Sequence, residues 1–411
     1  MKHLSAATAE ALDAADPLSG IRELFELPAG AIFMDANSVG PMPKAARQKA
    51  QGLLDDWVNL RRRGWSQRHW LEMPSLLGDA IAPLIGAGPG EVVMCDSTTL
   101  NQFKAVRHAL ALRPGRRVIL TQNGNFPTDV HVLQGIVYAS EGLLSLRFVG
   151  SEAEAITALD DRVAVAALSH VDYRSGERWD MARVTAAAHA QGALAVWDIS
   201  HSAGAVPVDV KGADADFAIG CGYKYLCAGP GGPAYIYVRP GLGDEVWPAI
   251  PGWMGHADVF AFARDYEPHD GVKKFLAGTP PVGADELASS ILEVWPKVDP
   301  AKLWAKHQSL TGFLIAALKQ ECGPQGVVVN SPDDHRRRGG NVSFSSPGAG
   351  SVVEALIDLG VISSFRKPDA IRLGVSPLVI RHIDCWQAVQ SLRRVLEEKI
   401  WQQPKYAKVS V

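Results

Sequence analysis

No run of about 18 consecutive apolar residues occurs in this chain, so the pattern of a membrane-spanning helix is missing. The opening "MKHLSAATAEALDAADP" has no apolar stretch of the kind that marks a secretory signal. Cysteine is scarce: Cys95, Cys221, Cys227, Cys322 and Cys385 are five in number, with no C-x-x-C pair. That pattern suggests neither a disulfide framework nor a zinc site or other metal site, and reduced thiols in the cytoplasm are expected. An excess of one charge sign is also missing. The formal net charge is -3, and the short runs Arg61 to Arg63 and Arg336 to Arg338 read as solvated faces, so there is no field for nucleic acid. Neither a P-loop nor a dinucleotide G-x-G-x-x-G stands at a strand-to-helix turn, because "GAGPGEV" precedes its strand. Internal repeats and low-complexity tracts are lacking as well.

What remains is ordinary globular composition, 411 residues with 47% hydrophobic and 21% charged, long enough for two domains. Apolar strand-like runs alternate with helical patterns: "EVVMCD", "RRVILTQ", "LLSLRFVG", "VAVAALS", "ALAVWDIS", "ADFAIGC" and "AYIYVRP". Runs apolar on both faces imply an α/β fold, a mostly parallel seven-stranded sheet covered by helices. Residues 46–294 are expected to form this large domain. From residue 295 to 411 the pattern changes to a smaller α+β unit, with strands "GVVVN", "GNVSFS" and "AIRLGV" and a final helix "IDCWQAVQSLRRVLEEKI". Residues 1–45 are assigned to the same small unit.

Ligands of open α/β sheets sit beyond the carboxyl ends of the strands, and four such places carry chemistry. In "CDSTTLN", Ser97, Thr98 and Thr99 stand between strand and helix, as an anion site or simply with Asp96 or Ser97 as an N-cap. In "NGNFPTD", Phe126 could stack on a flat heterocycle and Asp129 bond its edge; the alternative is an inward-packed Phe126 and a helix-capping Asp129. In "LAVWDISHSAG", Asp198 ends an apolar strand and suits a cationic ring nitrogen, or caps a helix. Finally "GYKYLCAGPGG" places Lys224 just after the next strand, where it either snorkels to water or gives up its charge and acts as a nucleophile. Phosphate site, stacking aromatic, carboxylate and lysine together are what pyridoxal phosphate requires.

The stretches "DANSVGPMPKAA", "TTLN", "NFPTD", "LSHVDYRSG", "WDISHSAGAV", "GYKYLCAGPGG", "PGWMGH", "FLAGTPP" and "IRLGVSPL" span nearly the whole chain, and with them the sequence resembles the kynureninase family. These are pyridoxal-phosphate enzymes of the aspartate-aminotransferase fold type. The resemblance implies hydrolysis of L-kynurenine to anthranilate and L-alanine, with 3-hydroxykynurenine as the poorer substrate. It implies that Lys224 anchors the cofactor and moves the Cα proton, that Asp198 pairs with the ring nitrogen, that Phe126 stacks, and that His201, Ser169 and Asp129 lie around the ring. Thr98, Thr99 and Tyr223 would serve the phosphate, and Tyr223 also the proton delivered to Cβ. Trp253 and Thr279 would reach the neighbouring subunit's phosphate, which implies a homodimer with shared sites. Arg372 would clamp the substrate carboxylate, with Ser38, His256 and Trp65 also on the substrate. Trp65 and Thr279 stand where members preferring the hydroxylated substrate carry His and Asn. Ala36 stands where the family's motif opens on glycine, and Thr98 where leucine is common.

Two other readings share part of this pattern. A cysteine desulfurase or class V aminotransferase uses the same Asp198 and Lys224, but a desulfurase needs an acceptor cysteine on a loop, and Cys322 in "KQECGPQG" reads as structural. A regulatory protein that binds the cofactor without turnover is the non-enzymatic reading, and the intact Lys224, Tyr223 and Arg372 speak against it.

Overall fold

A computed structural model of the chain describes residues 3–407. All seven apolar runs form strands of one sheet: β1 (Val92–Met94), β2 (Val118–Gln122), β3 (Ser145–Val149), β4 (Val163–Ser169), β5 (Leu194–Asp198), β6 (Phe217–Cys221) and β7 (Ala234–Val238). Their order is β1-β7-β6-β5-β4-β2-β3. Strands β6, β5, β4, β2 and β3 pair in parallel, and β7 runs antiparallel to both β1 and β6. The mostly parallel sheet read from the sequence is therefore present.

Side chains of successive strand residues point to opposite faces, and each face has its own core. Leu194, Val196, Phe217, Ile219 and Ile236 belong to one apolar cluster, while Ala195, Trp197, Ala218, Tyr235 and Tyr237 belong to another. Burial on both sides explains why these strands carry apolar residues without alternation. The edge strand β3 is the exception, with only Val149 fully buried.

Helix α1 (Ala45–Asn59) precedes the sheet, α2 (Thr98–Ala111) follows β1, and α3 (Pro127–Tyr138) follows β2. A second sheet is wholly antiparallel: β8 (Val328–Val329), β9 (Asn341–Ser345), β10 (Ser364–Arg366) and β11 (Ala370–Gly374), in the order β8-β9-β11-β10. Helices α4 (Pro300–Glu321) and α5 (His382–Glu397) accompany it. The N-terminal segment is stitched to this part of the chain. Ile32–Phe33 pairs in parallel with Val361–Ile362, Gly374 N donates to Met34 O at 2.7 Å, and the Asp13 carboxylate accepts from the N–H groups of His382 and Ile383. Among the described residues no helix is long and apolar enough to cross a membrane.

Candidate active site

The carboxyl ends of β1, β2, β4, β5 and β6 converge on a cavity of ≈ 230 Å³. At the end of β1 the chain turns through Asp96, whose φ of 51° is left-handed and whose carboxylate pairs with the buried Lys104. Ser97 is the N-cap of α2, its hydroxyl accepting from Leu100 N at 3.3 Å, so the capping reading holds for this residue. Thr98 and Thr99 then occupy the first helical turn and line the cavity, where free N–H groups and the helix dipole favour an anion.

After β2, Asn125 accepts from the Phe126 amide at 2.8 Å and from the Ser169 hydroxyl at 2.9 Å. Phe126 itself occupies the N-cap position ahead of Pro127, and its ring stays 41% exposed over the cavity, edge-on to Tyr173 with centroids 5.2 Å apart. The inward-packed Phe126 considered from the sequence is thus not what forms. Nor does Asp129 cap the helix: it is buried within the first turn, its Oδ2 without a partner.

Beyond β5, Asp198 accepts from Ser200 N at 2.7 Å, and Asp129 lies against it. Burial, and then the neighbouring Asp198 charge, push the Asp129 carboxyl well above its usual range. Lys224 Nζ lies 2.9 Å from His201 Nε2 and 5.9 Å from the ring centroids of both Phe126 and Tyr223. Burial, and then the Lys224 charge, hold His201 well below its usual value, so the ring is neutral and can accept from the lysine through Nε2. Its Nδ1 is buried without a partner. Burial also raises the Tyr223 phenol, with Cys221 and Asp198 adding to the rise; the proton stays on the oxygen, as an acid role requires. Lys224 is thus not a surface lysine reaching for water, since its amine is turned into the cavity beside a histidine.

Arg372 on β11 is 1% exposed. Its Nη1 donates to Tyr173 O at 2.7 Å, Nη2 to Ser38 Oγ at 3.3 Å and to Ser364 Oγ at 3.1 Å, and Nε to Ser364 Oγ at 3.3 Å. With its amide oxygen turned to the guanidinium, Asn37 accepts from Nε at 3.2 Å and Nη2 at 3.3 Å. Burial lowers the guanidinium to about 10 and Arg366 adds to that, which still leaves it a cation at neutral pH. The carbonyl of Tyr173 thus connects the arginine to the loop whose ring borders Phe126.

Eleven residues expected at the site, Thr98, Thr99, Phe126, Asp129, Ser169, Asp198, His201, Tyr223 and Lys224 at the cavity with Ser38 and Arg372 beside it, are gathered in one region of one chain. Four others are not among the residues lining that cavity. Trp65 packs edge-on against Trp70 at 5.7 Å, Trp253 is 37% exposed, Thr279 is exposed, and His256 bonds within its own loop to Asp258 N and Asp265 O. Sequence reasoning missed Asp35, Asn37, Tyr173 and Ser364, which surround Arg372. The stretches "DANSVG" and "VDYRSG" had been singled out, but nothing in them names an arginine far along the chain.

The unpartnered Asp129 Oδ2 and His201 Nδ1, the hydroxyls at the head of α2 and the lysine amine form a donor set that fits pyridoxal phosphate. The fold agrees. Solved structures of similar shape include the cystine C-S lyase C-DES (TM-score 0.75, 17% identity, 89% of this chain and 98% of that one) and a cysteine desulfurase from Thermococcus onnurineus NA1 (TM-score 0.75, 21% identity, 92% and 97%). The sequence narrows this further. Residues 303–392 match the model of the kynureninase C-terminal domain. The chain is 41% identical to the kynureninase of Pseudomonas fluorescens over 96% of each chain, and 40% identical to that of Burkholderia pseudomallei over 97% of each. With identity at that level over nearly the whole of each chain, the chain belongs to the kynureninase family.

Proposed function

We propose that the chain hydrolyses L-kynurenine to anthranilate and L-alanine at the Lys224 cavity, with the residue roles given below. The observation that carries these roles is the meeting of Lys224, His201, Asp198 and Asp129 beneath Phe126, with Arg372 held on the far side of Tyr173. Pyridoxal phosphate, the cofactor of this family, supplies when bound a sink for the electron pair left at Cα.

Lys224 would hold the cofactor through its amine and is the base placed to carry the Cα proton; His201 keeps that amine directed into the cavity. Asp198 would supply the negative charge for a protonated ring nitrogen, with Asp129, whose carboxyl is pushed up by burial and by the Asp198 charge, lying against it. Thr98 and Thr99 meet the phosphate at the head of α2. Phe126 would stack on the ring, and Ser169 fixes the Phe126 loop through Asn125. Arg372 takes the substrate carboxylate, as a buried planar guanidinium can do bidentately. Water adds to the side-chain ketone, the Cβ–Cγ bond breaks to release anthranilate, and Tyr223 is the acid that protonates Cβ to give alanine.

We place Trp253, Thr279, Trp65 and His256 in the site of a second copy of the chain, since each lies away from the cavity of its own. The five free, buried thiols fit a reducing compartment, the cytoplasm. Residues 46–294 would then be the cofactor unit, with 1–45 and 295–411 as the smaller unit that carries Arg372. The desulfurase reading loses its acceptor, because Cys322 is buried against Val389 O and the other four cysteines are buried too.

The test is to give the cofactor-loaded protein L-kynurenine and 3-hydroxykynurenine in parallel and to separate the products by chromatography. Anthranilate with alanine is expected, at a higher kcat/KM than for the hydroxylated substrate, because an indole at Trp65 offers a buried hydroxyl no acceptor. Release of sulfur from cysteine, or transamination without cleavage, would overturn the reading.

A further inference from the structure

A buried guanidinium needs a counter-charge, yet Arg372 touches no carboxylate directly; all of its hydrogen bonds end on hydroxyls, an amide or a carbonyl. The counter-charge stands one bond further out. Ser38 Oγ accepts from Arg372 Nη2 at 3.3 Å and donates to Asp35 Oδ1 at 2.7 Å. Ser364 accepts from Arg372 Nε and Nη2 and also hydrogen-bonds Asp35; burial raises the Asp35 carboxyl above its usual range, while Ser38, Ser364 and the Arg372 charge pull it back towards the ionised form. Two serines thus link one carboxylate to the guanidinium.

Asp35 is fixed in place by its backbone. It bridges Gly374, two residues beyond Arg372 on the same strand, and its carbonyl accepts from Ser38 N at 2.9 Å and Val39 N at 3.1 Å. The turn so formed aims the Ser38 hydroxyl and carries on to Gly40, whose N–H donates to Tyr223 O at 2.7 Å. A hydroxyl has one proton: while Asp35 accepts it, only the oxygen lone pairs of each serine can face the arginine. Asp35 therefore sets the direction of both serine bonds, and with them the rotation of the guanidinium plane. The other polar groups that act on Arg372 are Arg366, Tyr225 and Tyr173, none of them a carboxylate.

We propose that Asp35 is a positioning residue for the substrate carboxylate: through Ser38 and Ser364 it orients Arg372 for a two-point contact. This rests on the reading of Arg372 as the carboxylate clamp. It assigns a task to a residue that touches neither substrate nor cofactor.

The experiment compares Asp35→Ala, Arg372→Ala and the double variant, each loaded with cofactor, on L-kynurenine and on its decarboxylated amine, which keeps the aryl ketone. Asp35→Ala should raise KM for kynurenine roughly ten-fold with kcat little changed, since it removes orientation and no reacting group. Binding of the decarboxylated amine, measured as competitive inhibition, should stay at the wild-type value. In the Arg372→Ala background the Asp35 change should add nothing, because its effect passes through the arginine. Asp35→Asn, whose amide oxygen still accepts from the serines, should restore part of the loss. If Arg372→Ala raises KM while Asp35→Ala does not, the positioning role falls and the clamp stands. Equal weakening of both ligands by Asp35→Ala would make its role merely structural and overturn the proposal. An unchanged KM in Arg372→Ala overturns clamp and positioning together. Should Asp35→Ala fail to fold, Asp35→Asn and Ser364→Ala carry the same comparison.

Discussion

Asp285 shows how much a single carboxyl can weigh when nothing answers it. It is 1% exposed, neither of its oxygens has a hydrogen-bond partner, and burial with help from Glu286 and Asp96 raises it to about 7. Asp96, which acts on it, already pairs with the buried Lys104, whose amine also donates to Phe275 O. A folded-state value above the ordinary 3.8 means that the neutral form suits the fold, so its stability is complete below about pH 4 and is lost as pH rises towards 7. Asp285→Asn removes the ionisation. Its thermal midpoint should match the wild type below about pH 4 and exceed it by a few degrees at about pH 8, where the wild type carries the full cost of on the order of a few kcal/mol. Parallel midpoints across that range, followed by scanning calorimetry at a fixed rate, would remove the argument.

Among elements, the turn from Asp35 to Gly40 and the loop around Lys224 are in close contact at the site. A Cβ on Gly40 would lie 2.1 Å from the Lys224 carbonyl oxygen, a distance that backbone cannot yield without moving the lysine. Gly40→Ala should therefore leave the sheet intact and weaken cofactor retention ten-fold or more, read from the absorbance titration of apoprotein with pyridoxal phosphate. An unchanged titration would show that the loop can shift freely. The contact also marks the limit of what sequence patterns reveal. Six of the seven strands could be read because burial on both faces forces unbroken apolar runs, the edge strand β3 being the exception, and the chemistry at their ends could be read because Lys224, Asp198 and Thr98 each stand at or just after the end of such a run. Phe126 and Asp129 had two readings each, and only the Pro127 helix start and the proximity of Asp198 decide between them. The setting of Arg372 was out of reach: its partners Ser38 and Tyr173 are 334 and 199 residues away, and β10, which brings Ser364 to it, is three residues long and too short to show a period.

On the scale of the whole molecule, one chain completes the cofactor cavity but leaves Trp253 and Thr279 outside it, in a stretch that also exposes Phe260 and Phe262 at 59% and 80%. If a second copy brings these residues to the phosphate, the two defects can be separated between chains. A Lys224→Ala chain has no working site of its own but carries intact Trp253 and Thr279. A Trp253→Ala/Thr279→Ala chain carries the lysine but offers its partner nothing. Each homodimer should be nearly inactive, whereas a hybrid has one site with the lysine on one side and the aromatic and hydroxyl on the other. After mixing, unfolding and reassembly at equal amounts, random pairing makes half the dimers hybrid, each with one good site, so activity should return to roughly a quarter of wild type. The hybrid can be isolated through two different affinity tags and assayed directly. A hybrid as inactive as its parents would place every group the reaction needs, these two residues included, in a single chain and would leave the exposed rings to some other contact.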